Sequence, residues 1–311
     1  MAYNKIPLYD EYIDAGVPTI GQLNLDSSIE NACQNTNHNA SVLLDTDLVQ
    51  SLNMWIENPD FLGETLMRQA DRLGYSEQEK HDIFKNISKN DIKNMIALNL
   101  DGQGSSPNDP NNSAKFCGTK VSNEIEDNNE YLYALFHTPE IIEIYPHRIG
   151  ETVDIYHTMS HEINHLLMVA LMVYRRSKKG QTLSETKQEF HTQRFQEVAE
   201  TFGWLDGGQA PMDLGYNNWG EIAKFTGHSE QYNENHWYSL ATKRSFKIHK
   251  MQLNIYNVTG DSNEYQKWSR AIRNALWEAL NNPQGLENID LYLEKYEDKP
   301  QEALDTLLQV A

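Results

Sequence analysis

A chain of 311 residues is long enough for one large domain or for two to three small ones. Its formal net charge of −19 and pI near 4.9 argue against a nucleic-acid partner, because phosphate binding needs a basic face. The two cysteines, Cys33 and Cys117, lie far apart and form no CxxC pair, which excludes a zinc ribbon and a disulfide framework and points to free intracellular thiols.

The first residues carry no apolar signal-peptide core, and no stretch approaches the ~18 apolar residues of a membrane span, so an intracellular, cytoplasmic protein is expected. Residues 1–45 are weakly periodic and broken by Pro7, Gly16, Pro18 and Gly21, which reads as an extended arm. From 46 to 100 the pattern is helical. Thr46 or Asp47 can cap a segment through Leu48, Leu52, Trp55 and Ile56, and Pro59 restarts a helix that Gly74 closes. Ser76 to Glu79 is a capping box opening a third helix, and Ser88 or Asn90 begins a fourth with Ile92, Met95, Ile96 and Leu98. His81 in this helical subdomain is flanked by charge and reads as exposed.

Residues 101–116, rich in Gly, Ser, Pro and Asn, have the composition of a linker. Beyond it, Tyr131–Phe136 and Glu140–Tyr145 are rich in β-branched and aromatic residues and read as two strands, with Thr138-Pro139 as the turn between them. A long helix follows, over about Thr152 to Tyr174, and carries His161-Glu162-Ile163-Asn164-His165. Positions four apart on a helix share a face, so His161 and His165 can aim two imidazoles at one ion. Glu162 lies one residue round, where its carboxylate can reach a water at the open coordination position and act as general base. His157, one turn earlier, reads as a surface histidine, with a donor behind the ligands as the other option.

A catalytic zinc takes three protein ligands and a water. Two sources are open for the third: His191, at the start of an apolar stripe through Phe195, Val198, Ala199 and Phe202, or Glu197 or Glu200 within it. Gly203 closes that stripe in this reading. From 206 to 311 the chain reads as loop-rich and helical. Lys243–Tyr256 alternates as one or two strands, Asp261 or Ser262 caps a helix, and Leu286–Tyr296 and Pro300–Val310 are amphipathic. His228, His236 and His249 lack metal spacing and read as structural or exposed. The basic clusters Arg175–Lys179 and Lys243–Lys250 read as solvated faces before docking surfaces for an acidic partner.

From Cys117 to Trp204 the order of strands, His161-Glu162-x-x-His165 helix and His191-x-x-x-Phe195 resembles the SprT-like zinc metallopeptidase domain. The resemblance implies a Zn2+ cofactor held by His161, His165 and His191, with Glu162 as catalytic base. The spacing between His165 and His191 is longer than usual, and the zinc ribbon and basic DNA-binding flanks of many relatives are missing. The expected fold is α+β: a zincin-like core over 117–205, a small sheet plus the motif helix, flanked by N-terminal and C-terminal helical regions.

The expected function is hydrolysis of peptide bonds in a protein substrate, with Tyr156 or Tyr216 as guesses for an oxyanion donor. The alternative is a structural or assembly subunit, such as a phage virion ring or adaptor component, that carries a peptidase-like zinc domain within a homo-oligomer or larger protein assembly.

Overall fold

Two reciprocal capping boxes fix the first helical turns. Ser76 accepts from the Glu79 amide while Glu79 accepts from the Ser76 amide, and Ser88 and Asp91 repeat the exchange. They open α2 (Glu77–Phe84) and α3 (Lys89–Asn94). Before them, α1 (Pro59–Arg72) starts on a proline, which needs no amide partner there, and ends at Gly74, whose φ of +79° is left-handed. The computed structural model describes residues 59–98, 114–145, 152–213 and 236–310. The arm, the Leu48–Ile56 segment, most of the linker, His228 and Tyr216 lie outside them.

The predicted fourth helix stops early. The amides of Glu140 and Ile142 take the carbonyls of Asn94 and Met95 at 2.7 and 2.9 Å, and the chain turns into strand β1 (Ile96–Leu98) instead. Strand β2 (Ala114–Phe116) occupies the end of the segment read as linker. With β3 (Ile142–Ile144) they make a three-stranded sheet in the order β1-β3-β2. The β1 pairing is parallel, with Ile96 opposite Ile142; the β2 pairing is antiparallel, with Phe116 opposite Ile142.

The first predicted strand, Tyr131–Phe136, is instead part of helix α4 (Asn128–His137), capped by Asp127. The buried positions are Tyr131, Leu132, Leu135 and Phe136, a helical stripe, while Tyr133 between them is exposed. β-propensity loses here to burial period.

Helix α5 (Thr152–Lys178) runs through the centre of the molecule, and Leu166, Leu167, Met168, Ala170, Leu171 and Val173 are completely buried. It is followed by α6 (Leu183–Phe190) and α7 (Gln193–Asp213). The predicted stop at Gly203 is not one: α7 continues past it. The C-terminal part is α8 (Trp237–Thr259), α9 (Ser262–Ala279), α10 (Gly285–Tyr296) and α11 (Pro300–Val310).

The strands expected over Lys243–Tyr256 are helix. Ala241, Arg244, Ser245, Ile248, Met251, Gln252 and Ile255 are buried at helical spacing, and Phe246 is exposed. The protein is therefore mostly helical with one small sheet. One hydrophobic core runs from Leu62 in α1 to Leu304 in α11. No helix among the described residues is long and apolar enough to cross a membrane.

Both basic clusters are largely used inside the chain. Arg175 bonds Glu79 and the Gly74 carbonyl, and Arg176 bonds Glu189 and Asn281. Arg244, Lys247 and Lys250 on α8 pair in step with Asp290, Glu294 and Glu297 at the α10 side, a ladder joining the two segments.

Candidate metal centre

The helix positions do what the spacing implies. On α5, His161 and His165 bring their Nε2 atoms within 2.9 Å of each other. Glu200, from the middle of α7, sets one carboxylate oxygen 3.3 Å from His161 Nε2 and the other 3.4 Å from His165 Nε2. Among the described residues this is the group of three His, Cys, Asp or Glu side chains whose ligand atoms converge as a metal would require.

Two of the three distances fit a small cation, and the two Nε2 atoms lie somewhat closer. Ligands about 2.0–2.1 Å from a tetrahedral ion lie about 3.3 Å apart. The two carboxylate–imidazole separations have that length. His161 and Glu200 are buried, and His165 is partly exposed, so the group opens on one side.

His191 does not join it. It is the exposed C-cap of α6, its own amide bonded to the Gln188 and Glu189 carbonyls. The side chain that stands beside the two α5 histidines is instead Glu200. Nor is His157 on the surface: it is buried, 5.0 Å from the Trp204 ring and 6.2 Å from that of His161. His249 is buried too, between Gln252 and the Trp204 carbonyl, while His236 caps α8 and His81 is exposed.

Charge accounting on α7 separates Glu200 from its neighbours. Among its described residues the helix buries three carboxylates, Glu197, Glu200 and Asp206. A buried charge needs a partner. Glu197 has Arg244, at 2.6 Å, and that guanidinium also holds Asp290 and the Thr201 hydroxyl. Asp206 has Arg273, at 2.5 Å, and the Asn164 amide. Glu200 faces two imidazoles. Burial alone would push its carboxyl up, but His161 and His165 overrule that and hold it well below the carboxylate range. Burial likewise pushes His161 down, and the Glu200 charge reverses it, leaving the imidazole raised. Both shifts express one attraction, between the Glu200 carboxylate and the two imidazoles beside it.

Two glycines let α7 come this close. A Cβ on Gly203 would sit 2.9 Å from His161 Cε1 and Nε2, and one on Gly207 would sit 3.0 Å from the His157 carbonyl. Trp204 beside them forms a wall, its ring centre 5.0 Å from that of His161.

Glu162 points to the sheet. Its Oε2 accepts the Phe116 amide of β2 at 2.6 Å, which fixes the carboxylate beside the ligand helix. The side chains of Tyr156 and Tyr216 are not described, so the oxyanion expectation falls outside these residues.

Spacing along the chain does not mark Asn164, Asp206, Arg244 and Arg273 as the buried polar groups around these side chains. One signal for Arg244 existed: a cation at a position whose helical neighbours Ala241, Ser245 and Ile248 are core. No protein-family model matches this chain, and neither a curated protein nor a solved structure does.

Proposed function

We propose that this protein is a zinc-dependent metallopeptidase with a zincin-like core akin to the SprT-like domain, in which His161, His165 and Glu200 hold the ion and Glu162 is the general base. The observation that carries the reading is the carboxylate that faces two imidazoles: of the three buried among the described residues of α7, Glu200 meets histidines where Glu197 and Asp206 meet arginine. Two histidines and one carboxylate are the donor set of a catalytic zinc with a position left open. A structural zinc would be closed by four protein ligands, and the described residues supply three.

A bound zinc supplies a Lewis acid for the scissile carbonyl and acidifies water. Glu162, one residue from His161 and tethered by the Phe116 amide, takes the proton from the attacking water and returns it to the leaving nitrogen. The Phe116 bond keeps the carboxylate acceptor-only on that side, so its other oxygen is the one free for the proton. Trp204 and the α7 helix close one side of the centre.

The test is Glu162→Gln on the full chain supplied with zinc. Cleavage of an unfolded protein substrate should fall by about 100-fold or more, the usual weight of a general base, while zinc stays bound. Equal cleavage by the variant would refute the mechanism. A wild-type chain that holds zinc and cuts no protein would shift the reading to an assembly subunit with a zinc-pinned module.

A further inference from the structure

We infer that Arg273, acting through Asp206 and Asn164, is a positioning residue for the metal centre, setting the rotation of the ligand helix about its own axis. The inference rests on the metal-site reading above. Asn164 lies between the two ligand histidines on α5, and its amide nitrogen donates to one Asp206 oxygen. The other Asp206 oxygen accepts Arg273 Nη2 at 2.5 Å. Asn164 and Asp206 are completely buried, and Arg273 is nearly so. Arg273 is itself held: its guanidinium lies 5.8 Å over the Phe202 ring, and Nη1 reaches the Arg72 carbonyl at 3.5 Å. One polar line therefore ties α9 and α1 to α7 and then to the centre of the His-Glu-x-x-His segment.

The place of the line matters more than its strength. Along α7 the order is Glu200, then Gly203 against His161, then Asp206 against Asn164. The glycine permits the close approach of the helices, but a Cβ-free surface lets α5 roll. An imidazole nitrogen sits about 6 Å from its helix axis, so a roll of about 10° displaces it by about 1 Å. Metal bonds tolerate about 0.2 Å. Apolar contacts along the rest of α5 resist such a roll but are non-directional, and methionine among them adapts, so they do not set one angle. A buried amide bonded to a buried carboxylate does, since losing that bond strands both groups.

A buried ion pair is often no more stabilising than well-packed apolar side chains. Replacing the pair by such side chains therefore leaves a stability cost set mainly by the stranded Asn164 amide, which a packing control of matched cost can separate from positioning. The double variant Asp206→Leu, Arg273→Met removes both charges and keeps the branching of the Asp206 side chain. Its zinc affinity, read by competition with a chromophoric chelator, should fall by about 10- to 100-fold, the usual effect of losing a group that orients ligands. The visible spectrum of the cobalt-substituted protein should broaden or shift with it. Arg273→Lys, which keeps a cation for Asp206, should return affinity to near the wild-type value.

Leu304→Ala in α11 serves as the control, because it removes core packing on the far C-terminal helix. It should lower the melting temperature and leave zinc affinity as it is. Zinc bound by the double variant as tightly as by wild type, or weakened as much by Leu304→Ala at equal loss of melting temperature, would overturn the inference alone. A wild-type chain that takes up no zinc would remove the metal reading and this inference together.

Discussion

Gly203 offers a test in which ordinary helix physics and the metal centre predict opposite signs. In a helix interior, Gly→Ala is normally stabilising by about 1 kcal/mol, since alanine loses less backbone entropy. Gly203 is interior to α7, but the added methyl would sit 2.9 Å from two atoms of the His161 ring and 3.1 Å from a third. Overpacking of that kind costs about 1–3 kcal/mol when the neighbour cannot move. Here the neighbour is one of the proposed ligands. In metal-free protein His161 can swing away, and the penalty is partly relieved. With the ion bound it cannot, so most of the cost falls on binding: about 1–3 kcal/mol is about a 5- to 150-fold loss of zinc affinity.

Gly63 in α1 is the matched comparison. A Cβ there meets only Ile92 Cδ1 at 3.6 Å, an ordinary contact. Gly63→Ala should raise stability in urea by up to about 1 kcal/mol and leave zinc affinity untouched. Calorimetric zinc titration, with melts in zinc and in chelator, separates the two. If Gly203→Ala bound zinc like wild type and gained stability like Gly63→Ala, the packing of α7 on His161 described above would be wrong.

The other expectations concern charges in the core. Arg244→Leu would leave Glu197 buried without its cation and break the contact with Asp290, a loss of about 3–5 kcal/mol in urea denaturation; a change below about 1 kcal/mol would contradict the pairing. His249 should make the protein acid-sensitive. Burial, with Arg273 nearby, holds its imidazole down to about 4 against the contrary pull of the Trp204 carbonyl, Gln252 and Asp206. Unfolded, the group titrates near 6.5, so below that pH the unfolded chain takes up a proton the folded one refuses. The stability contributed by neutral His249 is complete above about pH 6.5 and falls as pH drops toward 4, by at most about 3 kcal/mol. Measured in chelator at pH 7 and pH 4.5, His249→Met should show a shallower loss than wild type. Equal losses would refute the assignment.

The sequence makes some of this legible and conceals the rest for physical reasons. Local rules sufficed for the capping boxes at Ser76 and Ser88, the Gly74 stop, the Asp261 cap and the two last amphipathic helices, because every interaction that decides them is within a few residues. The pairing of His161 with His165 is equally local. Tyr131–Phe136 and Lys243–Tyr256 went the other way. Their residues favour strands, but the side they bury follows a helical period, and only the packing of α4 and α8 reveals which side that is.

The third ligand position shows the limit most clearly. His191, Glu197 and Glu200 were all open on spacing. What distinguishes the two glutamates is Arg244, on a helix far along the chain, which takes Glu197 and leaves Glu200 to the histidines. Gly203 resembles a helix stop because the His161 ring it accommodates is on another helix. Pairwise chemistry across the fold decides both.

The central claim is that His161, His165 and Glu200 form a metal centre, and metal analysis of the purified full-length chain tests it most directly. Wild type, His191→Ala and Glu200→Ala are compared after zinc loading and removal of excess. The account expects about one zinc per chain in wild type and in His191→Ala, as a three-ligand site implies, and little or none in Glu200→Ala. Zinc lost from His191→Ala but retained by Glu200→Ala, or no zinc on a folded wild-type chain, would contradict it.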